Sequence, residues 1–293
     1  MRSPPLRLLF CHGLGAAKTD AQLMGQWARQ KQIEFQIIQY QKLRRSEQCL
    51  GLRDIGVELA RDQNAAVAAN NPSRGTVAAC ASAGAQALLR ALWHSPLLAQ
   101  HLAGLLLLSP GVCMEVPNYV QRVLPDQWDA LRAGLPVDHP SADRTIQLRI
   151  NMDSLKDYER IVLLPGRKSR LEKSLEFLGS SVSCRASKPC ATASSLRNCV
   201  IRRDSPLAPL HFPIRIVHGL YDKLVPIENC VELLQRLPAR DKAMHVVPCG
   251  HVITDTTTML FALDSLWAQI CRRREEENAA ERQNAKVPEA ILR

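Results

Sequence analysis

The sequence predicts an α/β protein with a mostly parallel β-sheet and helices on both of its faces. Short, continuously apolar runs, typical of strands buried on both faces, alternate with segments that have the periodicity of amphipathic helices. Turns that contain glycine or proline separate many of these segments. This alternation is typical of a parallel sheet whose crossover connections are helices. Ligand-binding residues are then expected at the carboxyl ends of the strands.

The first half of the chain supplies four of the predicted strands, at residues 6–11, 34–41, 76–81 and 103–108. Helices are predicted between or after them, at residues 16–30, 50–69 and 83–98. The first strand ends in a glycine turn, His12-Gly13-Leu14-Gly15. The second half resumes the pattern with strands at 214–217 and 243–247 and helices at 227–237 and from about residue 259.

These elements divide the chain into a core and three additions. We predict that residues 1–112 and 206–278 form the α/β core and that residues 279–293 are a frayed tail. Residues 113–161 are predicted to be a lid region, in which the stretch 115–133 has an amphipathic pattern that Pro125 kinks or splits. Residues 162–205 are a basic, Ser- and Cys-rich insertion without lasting periodicity, predicted to be disordered.

Composition is typical of a globular protein, since 46% of the 293 residues are hydrophobic and 23% are charged. No apolar run approaches the roughly 18 residues of a membrane span. The amino-terminal stretch is basic, but its apolar part is too short for a secretory signal. Cleavage as a transit peptide would also cut into the first predicted strand. We therefore predict a cytoplasmic protein, with a mitochondrial location as the alternative.

The net charge of +10 is concentrated in one segment. Residues 163–204 contain nine Lys or Arg against three Asp or Glu. Without interleaved aromatic residues or an RNA-binding motif, this segment is interpreted as a solvated insertion, and no nucleic-acid partner is predicted. The ten cysteines lie mostly in apolar runs without a C-x-x-C pair, which favours reduced, buried thiols. No metal or cofactor is predicted, and the sequence does not indicate an oligomeric state.

Ser82 follows a predicted strand directly and precedes a predicted helix. A sharp turn there would strain the serine backbone and lift the hydroxyl clear of the sheet, provided that nearby residues are small. The positions two before and two after the serine are Cys80 and Gly84, and Ala85 comes next. Cysteine replaces the more usual glycine at the first of these positions, but it is still small. The pattern predicts a nucleophilic serine.

An acid and a base follow two other predicted strands. Asp222 lies shortly beyond the strand at 214–217, and His251 lies shortly beyond the strand at 243–247. Asp255 is an alternative acid, and His245 is a weaker candidate base because it falls inside a strand pattern. The order Ser, Asp, His, with each residue just past a strand, favours Ser82, Asp222 and His251.

Two further polar residues near strand ends are given other interpretations. His12 is expected to shape the glycine turn instead of transferring protons. Ser109 follows the Leu-rich strand, and a serine cannot serve as the acid there. Both are therefore excluded from the predicted triad.

These motifs resemble the α/β-hydrolase family, and within it the compact serine hydrolases of the acyl-protein thioesterase and acyl-glucuronide esterase group. The matching segments are His12-Gly13-Leu14-Gly15, Cys80-Ala81-Ser82-Ala83-Gly84, His218-Gly219-x-x-Asp222-x-x-Val225-Pro226 and Gly250-His251. The resemblance implies that Ser82 attacks an acyl carbon, His251 transfers its proton and Asp222 orients the imidazole. The backbone N–H groups of Leu14 and Ala83 would form the oxyanion hole, with Gly13 and Gly15 allowing close approach.

The expected activity is hydrolysis of a carboxylic ester or an acyl thioester, carried by a small molecule or by an acylated protein. Both reactions pass through the same acyl-enzyme and oxyanion, so the residues do not choose between them. A serine peptidase of the same fold is an alternative. A further alternative is a catalytically inactive binding protein that retains the fold and uses its basic insertion to engage an acidic partner.

Overall fold

A six-stranded parallel β-sheet is the framework of the protein in the computed structural model. The structure describes residues 6–13, 18–38, 75–94, 99, 102–112, 116–139, 148–152 and 209–284. The predicted helix at 50–69 and the basic segment 162–205 lie outside the described residues. The parallel sheet with helices on both faces agrees with the predicted fold class.

The sheet has the strand order β2-β1-β3-β4-β7-β8. Its strands are β1 (Arg7–Cys11), β2 (Glu34–Ile37), β3 (Thr76–Ala81), β4 (Leu102–Leu108), β7 (Ile214–Gly219) and β8 (Lys242–Val247). Two short strands, β5 (Val137–His139) and β6 (Leu148–Ile150), form a separate antiparallel pair. The chain order and the spatial order differ at β1, which lies between β2 and β3, so the sheet extends in two directions from its first strand.

The central strands are largely apolar because both of their faces are covered. All five residues of β1 are buried, and six of the seven residues of β4 are buried. Side chains of successive residues point to opposite faces of a strand. A strand between two helical layers is therefore apolar at most positions on both faces, which explains the apolar runs in the sequence. The buried Arg7, Arg215 and His218 are exceptions, and each makes a side-chain hydrogen bond.

Helices cover the two faces of the sheet in separate layers. The helices are α1 (Lys18–Gln30), α2 (Ala83–His94), α3 (Val116–Val123), α4 (Trp128–Arg132), α5 (Ile227–Arg236) and α6 (Thr256–Asn284). Buried residues of α1 and α6 belong to one apolar cluster, and those of α2, α3, α4 and α5 belong to the other. Trp27 of α1 packs edge-to-face against Trp267 of α6, with ring centroids 5.7 Å apart. This contact ties the two helices of one layer together.

The region after β4 contains the split helix that the sequence predicts. Helix α3 ends at Val123, a 3₁₀ turn spans Pro125–Gln127, and α4 follows directly. The proline lacks a backbone N–H and cannot continue the hydrogen-bond ladder, so the helix is interrupted at that point. Val120 and Leu131 are fully buried against the apolar cluster on the α2 and α5 side of the sheet.

Helix α6 is longer than the sequence predicts at both ends. It begins at Thr256 and continues to Asn284, so the prediction that residues beyond Asn278 fray is wrong for 279–284. Asp255 accepts a hydrogen bond from the Thr258 N–H at 3.0 Å, which caps the first turn. The last turns carry mixed Arg and Glu residues that can pair along the helix and support it.

Candidate active site

Ser82 lies in the tight turn between β3 and α2 and has a left-handed backbone, with φ of 46°. Its N–H donates to the carbonyl oxygen of Leu108 at 2.9 Å, and its own carbonyl accepts from the Gly111 N–H at 3.3 Å. A non-glycine residue in this conformation costs of order 1–3 kcal/mol and needs surrounding structure to hold it. The bonds to β4 and to the segment after it provide that support.

The small residues around Ser82 let the turn pack directly on the end of β1. A Cβ atom added to Gly84 would lie 2.7 Å from the carbonyl oxygen of His12 and would overlap the backbone of Cys11. A Cβ on Gly13 would lie 2.9 Å from the Cβ of Ser82. Cys80 is fully buried and is in register with Cys11 of the neighbouring strand. A thiol fits where the sequence pattern usually has glycine, because Cys80 lies within the strand before the turn.

His251 bridges Ser82 and Asp222. Its Nε2 atom is 2.9 Å from the Ser82 Oγ, and its Nδ1 atom is 2.8 Å from the Asp222 Oδ2. With the proton on Nδ1, the imidazole donates to the carboxylate and accepts the serine hydroxyl proton. The imidazole is partly exposed, while the Asp222 side chain is fully buried. Three residues from separate loops thus form one continuous hydrogen-bonded chain.

The loop after β7 fixes the Asp222 carboxylate through two backbone hydrogen bonds. The Oδ1 atom of Asp222 accepts from the N–H groups of Leu224 at 2.8 Å and Val225 at 2.9 Å. These contacts form a local turn in which a short acidic side chain binds the backbone two and three residues ahead. Oδ1 is thereby satisfied by the loop, and Oδ2 remains directed at His251.

Solved structures with the same architecture give this arrangement a context. The chain is similar to alpha/beta hydrolase domain-containing protein 10 from mouse, with a TM-score of 0.58, 15% identity and 92% of each chain covered. It is also similar to a monoacylglycerol lipase from Paleococcus ferrophilus, with a TM-score of 0.53, 11% identity, and coverage of 92% of this chain and 96% of the lipase. The chain has the α/β-hydrolase fold. Est1E from Butyrivibrio proteoclasticus has this fold in common with it, with a TM-score of 0.52, 12% identity, and coverage of 92% and 89%. No family model and no curated protein sequence matches the chain.

Two backbone N–H groups, those of Leu14 and Ala83, are the predicted oxyanion donors, and the structure describes only the second. Ala83 is the first residue of α2, where backbone N–H groups have no partner within the helix. Gly13 lies beside the serine, but Leu14 and Gly15 lie outside the described residues. Of the two predicted donors, Ala83 is therefore the one that lies among the described residues.

The alternative acid and the alternative base lie in other environments. The Asp255 carboxylate caps α6 and binds Thr258 through both of its oxygens. Those hydrogen bonds lower the pKa of Asp255. His245 lies within β8 and packs edge-on against Phe261. His12 Nδ1 donates to the Gly13 carbonyl at 2.9 Å, which agrees with a role in shaping the turn.

Sequence reasoning assigned no role to two buried residues behind Asp222. His218 Nε2 is 3.1 Å from the Val225 carbonyl oxygen and 3.8 Å from the Asp222 Oδ2. His218 Nδ1 is 3.1 Å from the Cys230 Sγ on α5. His218 lies inside an apolar strand run and Cys230 inside a helical pattern, so no local signal in the sequence joins them. Only the packing of α5 on β7 brings the thiol to the imidazole.

The described part of the chain offers no cluster of three or more His, Cys, Asp or Glu side chains that could hold a metal ion. Among the same residues, no helix combines the length and the apolarity required to traverse a bilayer.

Proposed function

We propose that the protein is a serine hydrolase that cleaves carboxylic esters or acyl thioesters through an acyl-enzyme intermediate. The observation that carries this proposal is the distance of 2.9 Å between the Ser82 Oγ and the His251 Nε2, combined with the Asp222 contact on the other ring nitrogen. A serine hydroxyl is a poor nucleophile by itself, and an adjacent oriented imidazole is the usual means of activating it.

In the proposed mechanism, the Ser82 oxygen attacks the acyl carbon while His251 takes its proton. The imidazolium then gives that proton to the departing alcohol or thiol, and the acyl group remains on the serine. A water molecule, activated by the same imidazole, releases the acid and restores Ser82. Asp222 keeps the proton of the neutral ring on Nδ1 and stabilises the imidazolium.

The negative charge that develops on the acyl oxygen would be stabilised by backbone donors. We propose the Ala83 N–H and the Leu14 N–H for this role. Each such donor contributes about 2.7–4 kcal/mol to lowering the barrier. The small residues around Ser82 support this assignment because they let Gly13, which precedes Leu14, lie directly against the serine.

Lipases and esterases among the structural neighbours support ester chemistry, and the triad would attack a thioester in the same way. One neighbour is a monoacylglycerol lipase, which acts on a carboxylic ester. An acylated protein or a small acylated molecule would be attacked in the same way. A panel of acyl esters, acyl thioesters and peptides, competed against an active-site probe, would identify the preferred class.

Replacement of Ser82 by alanine is the direct test. We expect Ser82→Ala to lose labelling by a fluorophosphonate probe and to lose p-nitrophenyl ester hydrolysis by about a millionfold, because the proposed acyl-enzyme forms on the Ser82 oxygen. Ser109→Ala is the matched control, since Ser109 also follows a strand and has a positive φ, of 39°. Retained hydrolysis in Ser82→Ala would contradict the assignment. An unmutated protein that neither reacts with the probe nor cleaves any member of the panel would favour the inactive binding protein.

A further inference from the structure

A buried imidazole and a buried thiol lie behind the acid of the proposed triad. His218 is fully buried at the end of β7, and Cys230 is fully buried on α5. The Sγ atom of Cys230 is 3.1 Å from His218 Nδ1, and a second possible acceptor, the Pro110 carbonyl, is farther away at 3.9 Å. The thiol is therefore in hydrogen-bond contact with the imidazole. The mechanism above uses neither residue.

The surroundings of the His218 ring decide which of its nitrogens carries the proton. Nε2 faces two oxygen atoms, the Val225 carbonyl at 3.1 Å and the Asp222 Oδ2 at 3.8 Å. A lone pair at Nε2 would be repelled by both oxygens, whereas an N–H there is attracted by both. Nδ1 is then the acceptor, and the Cys230 thiol is the donor placed to satisfy it.

The charge of the ring follows from its burial. Burial lowers the pKa of His218, and this effect exceeds the opposing effect of the Asp222 carboxylate. The ring is accordingly neutral at pH 7. A neutral ring leaves the negative charge of Asp222 available to His251, while an imidazolium at His218 would compete for the same Oδ2 atom.

The contact with Val225 connects the imidazole to the carboxylate through the loop. His218 holds the Val225 carbonyl, and the Val225 N–H in turn donates to the Asp222 Oδ1 at 2.9 Å. Removing the ring nitrogens would free the loop segment that fixes the carboxylate. The hydrogen bond from His251 to Oδ2 depends on that fixed position.

We propose that His218, held in one tautomer by Cys230, is a positioning residue that fixes the Asp222 carboxylate toward His251. This proposal rests on the proposed serine hydrolase function. Neither residue touches the reacting atoms, so the expected effect is on turnover and not on substrate binding.

The test compares four variants with a control. His218→Leu removes both ring nitrogens at similar volume, and His218→Gln keeps a donor near the position of Nε2. Cys230→Val removes the thiol donor, and Cys230→Ser keeps a hydroxyl donor. Leu233→Ala is the control, because Leu233 is also fully buried on α5, and its truncation creates a cavity without removing a hydrogen-bonding side chain. The readouts are kcat and KM for a p-nitrophenyl ester and the downfield proton NMR signal of the His251–Asp222 hydrogen bond.

We expect His218→Leu to lower kcat by about tenfold or more, by analogy with the loss of an outer hydrogen-bond partner that orients a functional side chain in metal sites. KM should stay within about twofold, because ground-state binding is untouched. The downfield signal should disappear or move, and His218→Gln should restore most of both readouts. Leu233→Ala should lose thermal stability but keep kcat and the signal. Unchanged kcat and an unchanged signal in His218→Leu would overturn the proposal.

Two safeguards keep the test decisive. If His218→Leu does not fold, the two Cys230 variants provide the test. The proposal is supported if Cys230→Val loses kcat and the downfield signal while Cys230→Ser keeps both. Equal behaviour of the two variants overturns it. Should the unmutated protein show neither probe labelling nor hydrolysis, the proposed function is contradicted. The downfield signal still reports on the His251–Asp222 bond in that case, so its response to His218→Leu tests the positioning role independently.

Discussion

At the scale of single residues, the candidate site depends on how closely two backbone segments approach each other. Ser82 has a strained conformation, and Gly84 lies against the carbonyl groups at the end of β1. The same packing brings Gly13 beside the serine. Glycine is needed at position 84 because it lacks a Cβ atom, and a Cβ there would overlap the backbone of Cys11 and His12.

This packing predicts opposite outcomes at two glycines near the triad. Gly84→Ala should lower the free energy of unfolding by about 1–3 kcal/mol or more, as overpacking does, and should displace Ser82 and reduce hydrolysis. Gly250→Ala is the control, because a Cβ there meets no atom within 4 Å although the residue precedes His251. Urea unfolding and ester hydrolysis measure the two effects. Equal stability of both variants would show that the approach of the turn to β1 is not tight.

At the scale of elements, single residues of the helices contribute to the free energy of unfolding of the whole protein. Helix α1 contains a carboxyl group, Asp20, that is 7% exposed. Burial raises the pKa of Asp20 to about 6. An aspartate in the unfolded chain titrates near pH 3.9, so the folded state binds this proton more tightly. The contribution of Asp20 to stability is therefore greatest below about pH 4 and is lost as the pH rises through about 6.

Removing this carboxyl group should change the pH dependence of stability. We expect Asp20→Asn to raise the free energy of unfolding at pH 7, by on the order of 3 kcal/mol at most, and to change it little at pH 4. Urea unfolding of both proteins at the two pH values measures the difference. Asp129→Asn, at an exposed position on α4, is the control for the loss of a surface carboxylate. A stabilisation of Asp20→Asn that is equal at both pH values would contradict the explanation.

At the scale of the whole molecule, the parallel sheet brings together residues that are far apart in the chain. Ser82 and His251 are separated by 169 positions and meet at the carboxyl edge of the sheet. The six strands of that sheet and all three triad residues lie outside the basic segment at residues 163–204. The alternation of predicted strands and helices before this segment also continues directly in the alternation after it.

Deletion of residues 163–204 should therefore leave the fold and the ester hydrolysis intact. The physical reason is that the six strands of the sheet and the three residues of the proposed triad all lie outside the deleted segment. Thermal unfolding and p-nitrophenyl ester hydrolysis are the measurements. Deletion of residues 116–139 is the control and should collapse the fold, because it removes the buried side chains of Val120 and Leu131. Aggregation of the first variant would show that the core needs the basic segment.

The local sequence was sufficient to predict the six strands of the parallel sheet, most of the described helix positions and the residues that follow these strands, but not the short antiparallel pair β5 and β6. Continuous apolar runs predict strands buried on both faces, and small residues around Ser82 predict a turn that only small residues allow. The helix end at Asn284 was missed because charged pairing along a helix leaves no apolar pattern to follow.

The tertiary structure decided which polar residues meet. The sequence offers both Asp222 and Asp255 as the acid that pairs with His251. In the folded protein Asp222 contacts the imidazole, whereas Asp255 caps a helix. The contact between His218 and Cys230 arises from the packing of α5 against β7. A sequence fixes residue types and spacing along the chain, whereas the direction of a buried side chain depends on packing between distant segments, and no local pattern contains that information.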